Sequence, residues 1–148
     1  MEPTVVDQWR ELTARQVRIG NVLEQALEQQ HGLSRHEFEV LDQLAECAPD
    51  AKPRVQDIAD VVPITQSALS RLIGRLEKQG LIERRLCEAD RRGINVFLTD
   101  AGRARHAEAQ PTYRAVLTRE FASCDAAEAA GLALGLGELF EARSRAAG

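Results

Sequence analysis

Residues Val55 to Gly102 read VQDIADVVPITQSALSRLIGRLEKQGLIERRLCEADRRGINVFLTDAG. A short helical segment, a turn, a longer amphipathic helix and two short strands around a charged turn follow in that order. This order predicts a helix-turn-helix with a β-wing. Thr65 suits the N-cap of the longer helix, because its hydroxyl can accept an amide of the first turn. Gly80 suits the left-handed stop after it. Between them Leu69, Leu72, Ile73 and Leu76 recur at spacings of three and four, which gives one apolar stripe for packing. The opposite face carries Ser67, Arg71, Gly74 and Lys78, flanked by Ser70 and Arg75.

Small hydroxyls near a helix start, with arginines further along, suit insertion N-terminus first into a major groove. The helix N-terminus favours phosphate, small side chains let the backbone approach, and arginine pairs bidentately with guanine. Taken alone, the same pattern also describes an amphipathic helix with a solvated polar face. The elements that follow favour the DNA-facing reading.

Ile82 to Cys87 and Ile94 to Leu98 both suit strands, and in the second Ile94, Val96 and Leu98 alternate with Asn95 and Phe97. The connection Glu88-Ala89-Asp90-Arg91-Arg92-Gly93 makes a charged hairpin tip closed by glycine. Asp90 and Arg92 stand two apart, so the carboxylate can hold the guanidinium in one direction, toward a narrow minor groove. Arg84 and Arg85 lie at the base of the hairpin, where phosphate contacts are expected. A solvated hairpin with an incidental ion pair is the plainer alternative.

The chain of 148 residues carries a net charge of −4. From Thr65 to Arg105 there are nine basic and five acidic residues, a balance of +4 that leaves −8 for the remainder. A basic strip on an acidic protein can hold DNA while the acidic rest disfavours non-specific adhesion. Aromatic residues make up only 4%, which argues against a stacking surface for single strands. No apolar run reaches membrane-spanning length and the N-terminus has no apolar signal region, so a cytoplasmic protein without membrane contact is expected.

Outside the opening stretch the pattern is helical. A first helix is predicted over about Val5 to Gln30, with Trp9, Leu12, Val17, Ile19, Val22, Leu23 and Leu27 as apolar positions. A second starts at Ser34, where Ser34 and Glu37 form a capping-box pattern. Pro49 and Pro53 break the chain before the short helix that holds Val55 and Ile58. A long helix follows Thr99 to about Ala122, and Asp125 with Glu128 opens a last one. The first and last helices have more apolar face than a winged helix needs, which hints at a partner subunit. Two intertwined subunits would present two recognition helices. The fold class expected is mainly α with a small β-wing, a winged helix-turn-helix core flanked by N- and C-terminal dimerisation helices. One domain over 1–148 is expected, with about 1–33 and 105–148 for dimerisation and about 34–104 as the DNA-binding lobe.

The run ITQSALSRLIGRLEKQGLIERR resembles the recognition helix and first wing strand of the MarR (multiple antibiotic resistance regulator) family of bacterial transcription factors. The run DRRGINVFLTDAG resembles its wing signature at Asp90, Arg92, Val96, Leu98 and Thr99, and GLSRHEFEVLDQLAE resembles the preceding helix. The resemblance implies a homodimer on a pseudopalindromic double-stranded operator, with repression relieved by a small ligand or an oxidant. Carried across, Thr65 opens the recognition helix, and Gln66, Ser67, Ser70 and Arg71 meet the major groove. Arg75 touches phosphate or base, and Arg92 enters the minor groove, oriented by Asp90 beside Arg91. Gln66 departs from the proline of many relatives, which bears on base preference. The resemblance also implies a pocket for a small phenolic or aromatic effector, with Trp9, Arg15 and His36 as candidate lining residues.

Cys47, Cys87 and Cys124 are far apart and form no CxxC pair, so no zinc site is expected from them. Cys87 ends a wing strand, and its oxidation would disturb the wing; a redox- or metal-responsive regulator is therefore the alternative within the same fold. His31, His36 and His106 have no spacing that requires a metal, and no cofactor is called for. A winged helix devoted to protein contacts would not need the basic strip. No nucleophile-base pair or phosphate loop points to an enzyme.

Overall fold

Three of the helices begin on side-chain caps that the sequence carries, at Thr4, Ser34 and Thr65. In the computed structural model, which describes residues 2–86 and 93–122, α1 spans Val5–His31. The Asp7 N–H donates to Thr4 Oγ1 and the Thr4 N–H donates to Asp7 Oδ2, both at 3.1 Å, closing a reciprocal cap. Gly32 ends the helix at φ 65°, a conformation that glycine adopts without a Cβ penalty. The helix α2 spans Arg35–Glu46 and starts on Ser34, whose hydroxyl accepts the Glu37 N–H at 3.0 Å. The reciprocal half of the expected box is missing. Glu37 turns inward, leaving Oε2 buried without a hydrogen-bond partner, while Glu24 of α1 accepts the Arg35 N–H at 2.8 Å.

The short α3 (Val55–Ala59) and the longer α4 (Gln66–Lys78) form the helix-turn-helix. Thr65 caps α4 by accepting the Ala68 N–H at 3.2 Å, and Gly80 beyond it takes φ 74°. Leu69, Leu72, Ile73 and Leu76 are all buried, so the predicted stripe is the packing face of α4. They meet Phe38, Leu41 and Leu44 of α2, together with Leu27, Ile58 and Val96, in one apolar core.

Strands β1 (Ile82–Leu86) and β2 (Ile94–Leu98) pair antiparallel, from Ile82 opposite Leu98 to Leu86 opposite Ile94. The expected alternation in β2 is not what is observed: Ile94 is exposed whereas Asn95 and Val96 are buried. The cause is a third segment lying along β2. Arg54 bridges Asn95, and the Val96 N–H donates to the Pro53 carbonyl at 2.9 Å, so this segment closes the outer edge of β2 beside Asn95.

The helix α5 (Asp100–Ala122) leaves the wing and runs back along α1 and α2. Its start is pinned by Thr99, whose hydroxyl donates to the Gly80 carbonyl at 2.6 Å and accepts the Gly102 N–H at 3.0 Å. Gly102 packs so closely on the Leu81 carbonyl that a Cβ there would overlap it. Further along, His106 stacks on Phe38 and shares a 2.7 Å hydrogen bond with Asp42, and Tyr113 also packs on Phe38, with ring centroids 4.5 Å apart. No helix among the described residues is long and apolar enough to cross a membrane. The expected last helix with its Asp125–Glu128 box, the hairpin tip, Cys87 and Cys124 lie outside the described residues.

Candidate nucleic-acid interface

Burying one stripe of α4 obliges the other to face outward. Gln66, Ser67, Ser70, Arg71, Arg75 and Lys78 are all exposed along that outer face. Their directions follow from local bonds. Thr65 is also exposed; its oxygen accepts one amide in capping, which leaves the hydroxyl proton and a second lone pair for an interface. The Arg71 Nε donates to the Ser67 carbonyl at 3.4 Å, which lays the guanidinium back along the helix toward its N-terminal turn. Ser70 lines a hollow of about 380 Å³ between α3, α4 and the wing, with Arg54, Gln56, Ile73, Arg84 and Ile94 around it.

The two arginines at the wing base are held differently from the expectation of open phosphate contacts. Arg84 forks onto Glu77 of α4, with Nε 3.0 Å from Oε2 and Nη2 2.9 Å from Oε1. These hydrogen bonds hold the Glu77 carboxyl below the usual carboxylate range and push the Arg84 guanidinium up. Arg85 donates to Glu83 at 3.0 Å and lies 4.8 Å over the Phe97 ring. In the strand register Glu83 stands opposite Phe97, so carboxylate, guanidinium and ring share one face of the hairpin. Arg85 is therefore a stacked, pre-oriented cation, and Arg84 is a tie between wing and recognition helix. Asp90, Arg91 and Arg92 lie outside the described residues.

Several side-chain links around α4 are not legible in the sequence. Gln56 and Asp60 of the α3 turn reach α4: the Gln66 Nε2 donates to Gln56 Oε1 at 2.9 Å, and the Gln56 Nε2 donates to Asp60 Oδ1 at 3.0 Å. Spacing within α3 allowed the Gln56–Asp60 pair, but the link to Gln66 depends on the angle between two helices.

A second concave region lies at the junction of α1 and α2, about 400 Å³ lined by Gln16, Gly20, Asn21, Glu24, Arg35 and His36. The Arg35 Nε is 3.2 Å from Glu39 Oε1 and its Nη2 is 3.3 Å from His36 Nε2. Burial, and then the Arg35 charge, lower the His36 pKa; burial raises that of Glu39. Of the three expected effector residues, His36 lines this hollow. Trp9 lines a shallower one that adjoins it through the shared Val17, and Arg15 borders neither. Among the described residues no group of three or more His, Cys, Asp or Glu side chains gathers as a metal site, and Cys47 is exposed at the end of α2.

The MarR family model matches residues 31–93, which run from the end of α1 to the wing tip. The HTH-type transcriptional regulator PecS of Dickeya dadantii is 31% identical over 88 residues, 57% of this chain and 53% of PecS. The chain thus spans about half the length of this curated relative. The fold is similar over nearly the full length to two Streptomyces coelicolor structures. AbsC, a MarR family transcriptional regulator, is 28% identical with a TM-score of 0.77 over 97% of this chain and 98% of its own. Sco3205, a MarR family regulator solved in complex with DNA, is 26% identical with a TM-score of 0.78 over 99% of this chain and 91% of its own. With a capped recognition helix, a paired wing and a flanking helical frame, the chain is similar to MarR family winged-helix transcriptional regulators, in sequence over residues 31–93 and in fold over nearly its full length.

Proposed function

We propose that this chain is a transcriptional regulator that binds double-stranded operator DNA as a homodimer, represses nearby genes and is released by a small aromatic or phenolic ligand. The observation that carries the reading is the outer face of α4. Its hydroxyl, amide and guanidinium side chains are exposed together, beside a wing that continues the basic strip. Likeness to a DNA-bound family member supports the same surface. In this reading Gln66, Ser67, Ser70 and Arg71 enter the major groove, and Arg75 beside them touches phosphate or base. Arg85 meets phosphate, and Arg91 and Arg92 with Asp90 serve the minor groove.

The dimer reading rests on the first half of α1, where Val5, Val6, Trp9, Leu12 and Val17 are exposed on a single chain. Residues 1–33 and 105–148 then form the dimerisation frame and 34–104 the DNA-binding lobe. Two recognition helices in twofold relation predict half-sites centred about one helical turn, ~10 bp, apart. The effector reading rests on the hollow at the α1–α2 junction, where frame and lobe meet.

The test is a gel shift with DNA from upstream of the protein's own gene, repeated over a range of salt concentrations. A sequence-selective shift that weakens steeply with salt is expected. Arg92→Ala should weaken it, and unchanged operator affinity would remove the wing from the interface. A complete lack of selective binding, there and in a genome-wide DNA selection, would overturn the reading.

A further inference from the structure

At the mouth of the helix-turn-helix three exposed side chains form a directed chain. Asp60 Oδ1 accepts from Gln56 Nε2 at 3.0 Å, and Gln56 Oε1 accepts from Gln66 Nε2 at 2.9 Å. Its direction is set by chemistry. An ionised carboxylate only accepts hydrogen bonds, so Gln56 must turn its NH2 toward Asp60. Its carbonyl oxygen then faces Gln66, and Gln66 must turn its own NH2 toward Gln56. Both amide orientations follow from the one charge at Asp60. What remains on Gln66 is the carbonyl oxygen and one N–H, neither of them hydrogen-bonded among the described residues.

An acceptor and a donor on one amide match the edge of adenine in a major groove, where N6 donates and N7 accepts. Gln66 is the first residue of α4, the position from which a recognition helix touches base edges. From this geometry, and resting on the DNA-binding reading above, we infer that Gln66 reads an A·T pair in each half-site and that Gln56 and Asp60 are the positioning residues that orient it. Without Asp60 and Gln56 the Gln66 amide turns freely and presents either end to the groove. An amide that can flip pairs with adenine in one orientation only, so its discrimination falls. The chain also costs Gln66 side-chain freedom before DNA arrives, which lowers the ordering entropy left to lose on binding.

The experiment is selection of bound duplexes from a randomised library by the full chain, in the wild type and in Gln66→Ala, Gln56→Ala and Asp60→Asn. Salt-dependent affinity for the winning duplex is measured alongside. The wild type should select A·T at one symmetric position per half-site, by about tenfold or more over the other pairs. Gln66→Ala should lose that preference and keep the others. Gln56→Ala and the isosteric Asp60→Asn should each weaken the same preference several-fold, with the salt slope unchanged, because no phosphate contact is removed. A merely structural role for Asp60 or Gln56 would instead lower affinity at all positions together.

Retention of the A·T preference in Gln66→Ala would overturn the reader assignment. Its loss in Gln66→Ala but full retention in both Gln56→Ala and Asp60→Asn would overturn the orienting chain. In both cases the wild type still binds DNA and the broader reading stands. Absence of any selected sequence or salt-dependent binding by the wild type would remove that reading and this inference with it.

Discussion

Arg84 of β1 and Glu77 of α4 are joined by two parallel hydrogen bonds, 3.0 and 2.9 Å, so the wing is tied to the recognition helix by a planar fork. Both side chains are partly solvated, and the fork fixes a direction more than it adds stability. A guanidinium engaged on both of these nitrogens is a poor counterion for phosphate. Arg75, on the outer face of α4, has no such carboxylate partner among the described residues.

The two arginines should therefore differ in a salt titration. Arg75→Gln is expected to reduce the slope of log affinity against log salt by about 1, the value for one phosphate contact. Arg84→Gln should lower affinity by loosening the wing while changing the slope much less. Equal slope changes for the two variants would place Arg84 on the phosphate backbone.

Two glycines predict opposite responses to the same substitution. Gly74 on α4 has open space where a Cβ would go, so Gly74→Ala should stabilise the fold by about 0.5–1 kcal/mol through helix propensity. At Gly102 the added methyl overlaps the Leu81 carbonyl and crowds Leu98, and Gly102→Ala should cost about 1–3 kcal/mol or more. Urea unfolding of both variants reads the sign directly. A neutral Gly102→Ala would mean that the start of α5 shifts freely against the wing.

Tyr113 provides a pH prediction. It is the one tyrosine in the chain, and burial against Phe38, with Glu39 and Asp42 nearby, pushes its pKa up to about 12. The folded state then holds the phenol proton more tightly than the unfolded chain. Stability should be constant for this group below about pH 10 and fall between about 10 and 12. Partial solvation reduces the loss to about 1–2 kcal/mol. Tyrosinate absorbance follows the titration without interference from other tyrosines. Tyr113→Phe should keep the packing and flatten this part of the stability profile; an unchanged fall would assign it to other groups.

The exposed apolar half of α1 predicts self-association. Trp9 and Val17 are 65% and 59% exposed on the single chain, too open for two large apolar side chains on one helix face unless a partner covers them. Val17→Glu should shift sedimentation from dimer toward monomer and weaken operator binding, leaving helix content almost unchanged. A variant that stays dimeric would move the interface elsewhere.

Local signals in the sequence were sufficient for the elements. Thr65, Ser34 and Gly80 act within three or four residues of themselves, so their capping roles are legible without a fold. The apolar stripe of α4 follows from periodicity in the same way; the two wing strands form where expected, although the alternation in β2 does not match its burial, and the Cys87 end of the first strand lies outside the described residues. Motif resemblance then added the family and the candidate DNA-facing residues.

What needed the tertiary structure were the relations between elements. Asn95 is buried because the Pro53–Arg54 segment, forty residues away in sequence, lies along β2. Glu37 turns its Oε2 into the interior instead of closing the expected box, and Glu24 of another helix takes the Arg35 amide. Arg84 faces Glu77 and Gln66 faces Gln56, both through the angles and distances at which the elements dock. The physical reason is range. Capping and periodicity act over one helical turn and are written in consecutive residues. The partner of a charge or an amide across two elements is decided by how the shared core packs, and that is a property of the whole fold.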